Sequence, residues 1–154
     1  MPKKKYNWKE FTLKVAVAAS PAKVFKMWTN PKEICKWFLA TAKIDAKKSG
    51  MYEWSWLGGG REKGKILSVR EPSGFSFTFA GSKCDIKIKK DKRGALVILR
   101  QYGIKTDEQN KVWTHLSCSL GWSFYLANLK AFLEHGIDLR ETDPKHLKEG
   151  TVLY

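Results

Sequence analysis

From Asp107 to His135 the chain carries no proline, and Gly121 is its only residue that disfavours a helix. Apolar side chains recur through it at helical spacing in two stripes. One is Val112, Leu116, Leu120, Phe124, Ala127 and Ala131; the other is Trp122, Leu126, Leu129 and Leu133. A helix with two apolar stripes must be covered on more than one side, so it needs a broad apolar partner. Thr106 and Gln109 have the spacing of a capping box at its start, and Gly136 is placed to end it.

The partner can be read upstream. Phe11, Leu13, Val15 and Val17 alternate with polar residues, as in a half-buried strand. Six further strands are expected at 40–45, 51–57, 62–70, 75–79, 84–89 and 95–101. Turns at Lys47–Gly50, Gly58–Gly60, Pro72–Gly74, Gly81–Ser82 and Asp91–Gly94 separate them. Strands joined by short turns make an antiparallel meander with one face in need of cover. Two short helices interrupt the series after the first strand. Ser20-Pro21 opens one, with Val24, Phe25 and Trp28 as its apolar side. Asn30-Pro31 closes it and starts the second, with Ile34, Trp37 and Phe38. The expected fold is therefore α+β: a curved antiparallel sheet around a long C-terminal helix. It forms a single domain over 1–154, with a core at about 10–140 and a polar tail at 141–154 that ends in Val152-Leu153-Tyr154.

The chain has 154 residues, of which 43% are hydrophobic and 13% aromatic, including 7 Trp. That is enough for one core and too apolar for a disordered segment. No apolar run is long enough to span a bilayer, and no signal-peptide core follows the basic start. The cysteines, Cys35, Cys84 and Cys118, are widely spaced and odd in number. They read as free thiols in a reducing compartment, which points to the cytoplasm.

The ordered motifs narrow the fold. Ser20-Pro21-Ala22-Lys23-Val24-Phe25-Lys26-Met27-Trp28-Thr29-Asn30-Pro31, followed by Trp37-Phe38, resembles the opening signature of the activator of heat-shock-protein-90 ATPase homologue family. Gly50-Met51-Tyr52, Gly64-Lys65-Ile66-Leu67 and Gly121-Trp122 with Leu126 and Leu129 also resemble that family. The likeness spans roughly residues 10 to 140. It implies the helix-grip fold of the START-like (SRPBCC) superfamily as a stand-alone domain, with a ligand-carrying or stress-related role and no shared catalytic residues. The eukaryotic co-chaperone has an additional N-terminal domain that is not present in this sequence.

Tyr52, Trp54, Trp56, Phe77, Phe79, Val97 and Leu99 are expected on the inner face of the sheet beside Phe75. Leu116, Leu120 and Phe124 should face them from the helix. The plain reading of such faces is a packed core. The architecture implied by the resemblance adds a cavity between sheet and helix for a small apolar or amphipathic molecule, with Gln101 at its polar end. No cofactor motif, metal-ligand spacing or nucleophile with its base is present. His115 and Cys118 lie three apart, which does not make a zinc site. Distant enzymes of the superfamily suggest a cyclase or hydrolase reading in which Tyr52 serves as general acid, but a buried phenol normally finds just one hydrogen-bond partner.

Net charge is +14, from 29 Lys and Arg against 15 Asp and Glu. Lys83, Lys87, Lys89, Lys90, Lys92 and Arg93 crowd one hairpin. They read as a solvated hairpin protected from edge pairing. The functional alternative is a basic patch for a chaperone or another acidic protein. Nucleic acid is not favoured, because the aromatics alternate inward instead of interleaving with the basic face.

Overall fold

The computed structural model describes residues 3–149; Val152-Leu153-Tyr154 lies outside the described residues. The elements follow the expected order. Strand β1 (Glu10–Val17) leads into helices α1 (Pro21–Thr29) and α2 (Pro31–Ile34). Then come β2 (Thr41–Ile44), β3 (Met51–Ser55), β4 (Arg61–Arg70), β5 (Gly74–Phe79), β6 (Ser82–Lys90) and β7 (Ala95–Tyr102). The long helix starts as α3 (Glu108–Asn110), widens into a π-helical segment (Lys111–Leu116) and continues as α4 (Ser117–His135). A short helix, α5 (Pro144–Glu149), occupies part of the region expected to be a plain polar tail.

The seven strands form one antiparallel sheet in the order β1-β7-β6-β5-β4-β3-β2. Every neighbour from β2 to β7 is a sequential hairpin, and β1 returns to pair with β7, Leu13 opposite Leu99. A register shift between Ile66 and Ser68 bulges β4. Bulges bend the strand that carries them, which suits a sheet wrapped about a helix.

The concave face is the core. Tyr52, Trp54, Ile66, Phe75, Phe77, Ile86, Val97 and Leu99 are all at most 2% exposed. Trp122, Tyr125, Leu126 and Leu129 of α4 cover them, with Val24, Trp28 and Trp37 closing one end. The caps are those the sequence suggests for the short helices. Ser20 accepts from the Lys23 amide at 3.2 Å, and Asn30 both ends α1 and caps α2 through the amides of Lys32 and Glu33. Gly136 closes α4 in the left-handed region at φ 66°, where a side chain is strained.

Two expectations about the long helix are corrected. Asp107, not Thr106, is the N-cap, accepting from the Asn110 amide at 3.0 Å. Leu116 and Leu120 do not face the sheet; they are 43% and 63% exposed, and Val112 is 48% exposed. Leu120 and Trp122 lie about 200° apart on the same uninterrupted helix, so with the Trp122–Leu126–Leu129 stripe against the sheet Leu120 faces solvent; Leu116 ends the π-helical segment before it. The same segment carries His115 inward to 1% exposure. Its Nδ1 lies 3.0 Å from the Trp8 carbonyl and its Nε2 lies 2.8 Å from the Tyr6 hydroxyl. A carbonyl can only accept, so Nδ1 carries the proton, and in the neutral ring Nε2 accepts from Tyr6. His115 therefore pins the N-terminal segment and is turned away from any pairing with Cys118.

Candidate functional site

A cavity of about 420 Å³ lies between one end of the sheet and the first half of α4. That is within the roughly 300–1,000 Å³ of small-molecule sites. Its walls come from five places in the chain. Phe38 follows α2. Trp56 and Leu57 start the β3–β4 hairpin, and Glu62 lies just past its end on β4. Phe79 and Ala80 sit at the β5–β6 turn. Cys118, Gly121, Trp122 and Tyr125 present one face of α4. Arg140 and Leu147 come from the C-terminal segment.

Four rings of its wall pack against one another. Phe38 and Trp56 have centroids 5.6 Å apart, Trp56 and Phe79 6.3 Å, Phe79 and Trp122 5.1 Å, and Trp122 and Phe38 5.2 Å. Trp122 is fixed by its indole N–H, which donates to Gln101 Oε1 at 2.9 Å. Gln101 in turn donates to Ser82 Oγ at 2.8 Å and is fully buried. The amide thus orients a wall residue and does not line the cavity itself.

The structure divides the sequence candidates. Trp56 and Phe79 line the cavity. Tyr52, Trp54, Phe77, Val97 and Leu99 lie deeper as packed core. Phe124 is half-buried, its ring 5.4 Å from that of Tyr125. Leu116 and Leu120 point to solvent, as above. The Tyr52 hydroxyl donates to the Thr78 carbonyl at 2.5 Å, and burial, with the Glu62 charge behind it, drives its pKa upward. A phenol with its proton committed to the main chain is poorly placed to protonate a ligand. Lys83, Lys87, Lys89, Lys90, Lys92 and Arg93 are all exposed, away from the cavity.

Several polar lining residues escaped the sequence reading, Arg61 and Ser117 among them, and three more shape the wall. Glu62 is paired opposite Trp54, so strand alternation sends it to the inner face. One of its oxygens accepts from the Ala80 amide at 3.1 Å. Cys118 lines the wall, but burial raises its thiol pKa, so it stays a thiol and a weak nucleophile. Arg140 closes the cavity's lower side, its guanidinium bonded to the carbonyls of Leu39 and Cys35 and to Asp138. Burial alone would raise the Asp138 carboxyl, yet hydrogen bonds from Arg140 and Asn128 hold it below its ordinary value. The signal for Glu62 was present: Ile66 points inward, so Gly64 and Glu62 must too. Gly64 lacks a side chain because the Tyr52 ring lies over it, where a Cβ would collide with Cε1 and with Cζ at 2.6 Å. Nothing local in the sequence marks Arg140.

Among the described residues, no group of three or more His, Cys, Asp and Glu side chains could hold a metal ion. No helix there is long and apolar enough to cross a membrane.

Comparison with known proteins adds a sequence family and a fold. The family described as activator of Hsp90 ATPase homolog 1-like protein matches residues 18–134. No curated protein matches the chain in sequence. Among solved structures, protein SSP2350 from Staphylococcus saprophyticus superposes with a TM-score of 0.74 at 20% identity, over 84% of this chain and 94% of that one. Protein NE0264 from Nitrosomonas europaea gives 0.72 at 16% identity, covering 86% and 98%. The Aha1 dimer from Colwellia psychrerythraea gives 0.69 at 17% identity, covering 82% and 97%. At such identities these likenesses establish the helix-grip fold alone.

Proposed function

The chain belongs to the activator of Hsp90 ATPase homolog 1-like family, and from that premise we propose that it binds a small apolar or amphipathic molecule, without catalysis, in the cavity between sheet and α4. The observation that carries this reading is a cavity of about 420 Å³ whose wall includes the contacting rings of Phe38, Trp56, Phe79 and Trp122. Apolar walls of this kind gain about 25 cal/mol for each Å² removed from water when a ligand covers them. Family membership favours a START-like carrier, and the engaged Tyr52 hydroxyl speaks against the cyclase or hydrolase reading.

Trp56 and Trp122 report directly on occupancy. Titration with fatty acids, sterols and aromatic compounds is expected to shift and quench tryptophan emission saturably for at least one class. Emission unchanged by every class would remove the proposal.

A second reading is a co-chaperone-like contact with an acidic protein through the outer face of the sheet. It rests on Lys83, Lys87 and Lys89, exposed along β6 with no ion-pair partner among the described residues, and on Lys14, which register places in line with Lys87 across Ile98. Such binding weakens as the Debye length shrinks to about 8 Å at physiological salt. Capture of an acidic protein at low ionic strength should therefore be lost at moderate salt. Capture indifferent to salt, or absent at low salt, would count against this surface.

A further inference from the structure

We propose that the first turns of the long helix, with the basic N-terminal segment tied to them, form a surface that docks on an anionic lipid bilayer. This surface is neither the cavity nor the outer face of β6, and it stands on its own observations.

The first is where apolar side chains meet solvent. Nine large hydrophobic residues are exposed among the described residues, and five of them belong here. They are Tyr6, Val112, Trp113, Leu116 and Leu120, at 61%, 48%, 70%, 43% and 63%. Exposed apolar residues scattered singly need no explanation, but a contiguous group marks a contact surface. Val112, Leu116 and Leu120 follow one another at four-residue steps with Trp113 beside the first, so they make one ridge along the helix. The buried side of the same segment holds His115, which accepts from the Tyr6 hydroxyl at 2.8 Å and so anchors the N-terminal segment to this stretch of helix.

The second is charge. Lys3, Lys4 and Lys5 are exposed and directly precede Tyr6, so chain length keeps their backbone within roughly 10 Å of that anchor. Lys9 and Lys105 are exposed as well, and the Ile104 amide donates to the Lys9 carbonyl at 3.0 Å. The acids of this end are already engaged. Asp107 caps the helix, Glu108 pairs with Lys111 at 2.8 Å, and Glu10 pairs with Arg100. Lysines beside exposed Trp and Leu are the composition of an interfacial helix, whose apolar side enters the headgroup boundary while its cations meet anionic lipid. Stable attachment takes two such signals, and both are present here.

The third concerns the other occupants. A second copy would bring two chains of net charge +14 together at the end that carries free lysines, and such charge opposes self-association. An acidic protein would need an apolar groove shaped to the ridge, whereas a fluid bilayer needs none. Ser117 and Gly121, which directly follow Leu116 and Leu120, line the cavity. The docked ridge therefore adjoins the cavity's wall on the same helix, which gives a lipid-soluble ligand a short path between bilayer and site.

The test sediments the full chain, at physiological salt, with phosphatidylcholine vesicles and with vesicles containing about one-third phosphatidylserine. The expected result is binding about tenfold tighter to the anionic vesicles. Trp113→Ser/Leu120→Ser should weaken that binding about tenfold with the circular-dichroism spectrum unchanged, since both side chains are exposed. Lys3→Gln/Lys4→Gln/Lys5→Gln lies outside every helix and strand and should remove most of the preference for phosphatidylserine. It keeps the test decisive should the first variant fail to fold. No binding to anionic vesicles, or binding unaltered in either variant, would overturn the proposal. So would a lipid-free dimer that Trp113→Ser/Leu120→Ser converts to monomer in sedimentation velocity, which would assign the ridge to a second copy. Tryptophan titration of the cavity is read without vesicles, so failure here leaves the ligand-binding reading untouched.

Discussion

Trp122→Ala is expected to remove about 3–5 kcal/mol of stability, the usual range for deleting a buried tryptophan. The side chain is 3% exposed and touches Trp28, Phe38 and Phe79. It is also the group that satisfies Gln101 Oε1, so its loss leaves a buried acceptor unpaired, a further cost of roughly 1–3 kcal/mol. Set against a total stability of about 5–15 kcal/mol for a domain, the variant stands near the edge of folding. At roughly 2–4 °C per kcal/mol for a chain of this size, the melting temperature should drop by about 10 °C or more. Trp122→Phe separates the two terms, since it retains a ring in the wall and loses only the indole N–H. Thermal and urea unfolding of both variants check the account. A Trp122→Ala protein as stable as the parent would mean that the helix does not close the core as described.

Asn128→Ala should cost about 3 kcal/mol, although it removes little volume. Asn128 is fully buried on α4 and works in three directions. Its Nδ2 donates to the Trp37 carbonyl at 2.7 Å and to Asp138 at 3.0 Å, and its Oδ1 accepts from the Leu139 amide at 2.7 Å. Truncation strands a carbonyl and an amide, each worth roughly 1–3 kcal/mol when left unsatisfied. It also frees the segment that carries Arg140, and with it one wall of the cavity. Hydrogen exchange at Leu139 should accelerate well beyond what global destabilisation alone produces. Exchange at Leu139 that merely follows the global stability would show that Asn128 is not the anchor of that segment.

How much of this could be read from residues alone depends on how local the cause is. The strands were legible because each depends on alternation and a turn: Cys84, Ile86 and Ile88 are buried while Lys83, Lys87 and Lys89 are exposed. The short helices were legible because Ser20-Pro21 and Asn30-Pro31 cap and break within four residues. The face of the long helix was not, because its sequence offers two apolar stripes and only contact with the distant sheet decides between them. The stripe containing Leu116 and Leu120 was expected inward and these two are exposed, whereas Trp122, Leu126 and Leu129 of the other stripe are buried.

The candidate site was legible in position and only partly in membership. Aromatic stripes suggested a space between sheet and helix, and of the expected lining Trp56 and Phe79 border the cavity. Tyr52, Trp54, Phe77, Val97 and Leu99 share the same pattern and differ only in depth, which alternation cannot encode. Glu62 was not assigned to a face of its strand; its register against Trp54 places it on the inner one.

The central claim is that the cavity under α4 is the ligand site. The most direct measurement follows amide and indole NMR shifts during titration with octanol, in the parent protein and in Ser117→Trp. Ser117 lines the cavity at the start of α4 and is only half-buried, so a ring there fills the space without cutting into the core. Saturable shifts confined to Phe38, Trp56, Phe79, Trp122 and their neighbours, abolished in Ser117→Trp, are the predicted result. Shifts of equal size in the filled variant, or shifts gathered instead on the outer face of β6 and β7, would contradict the account.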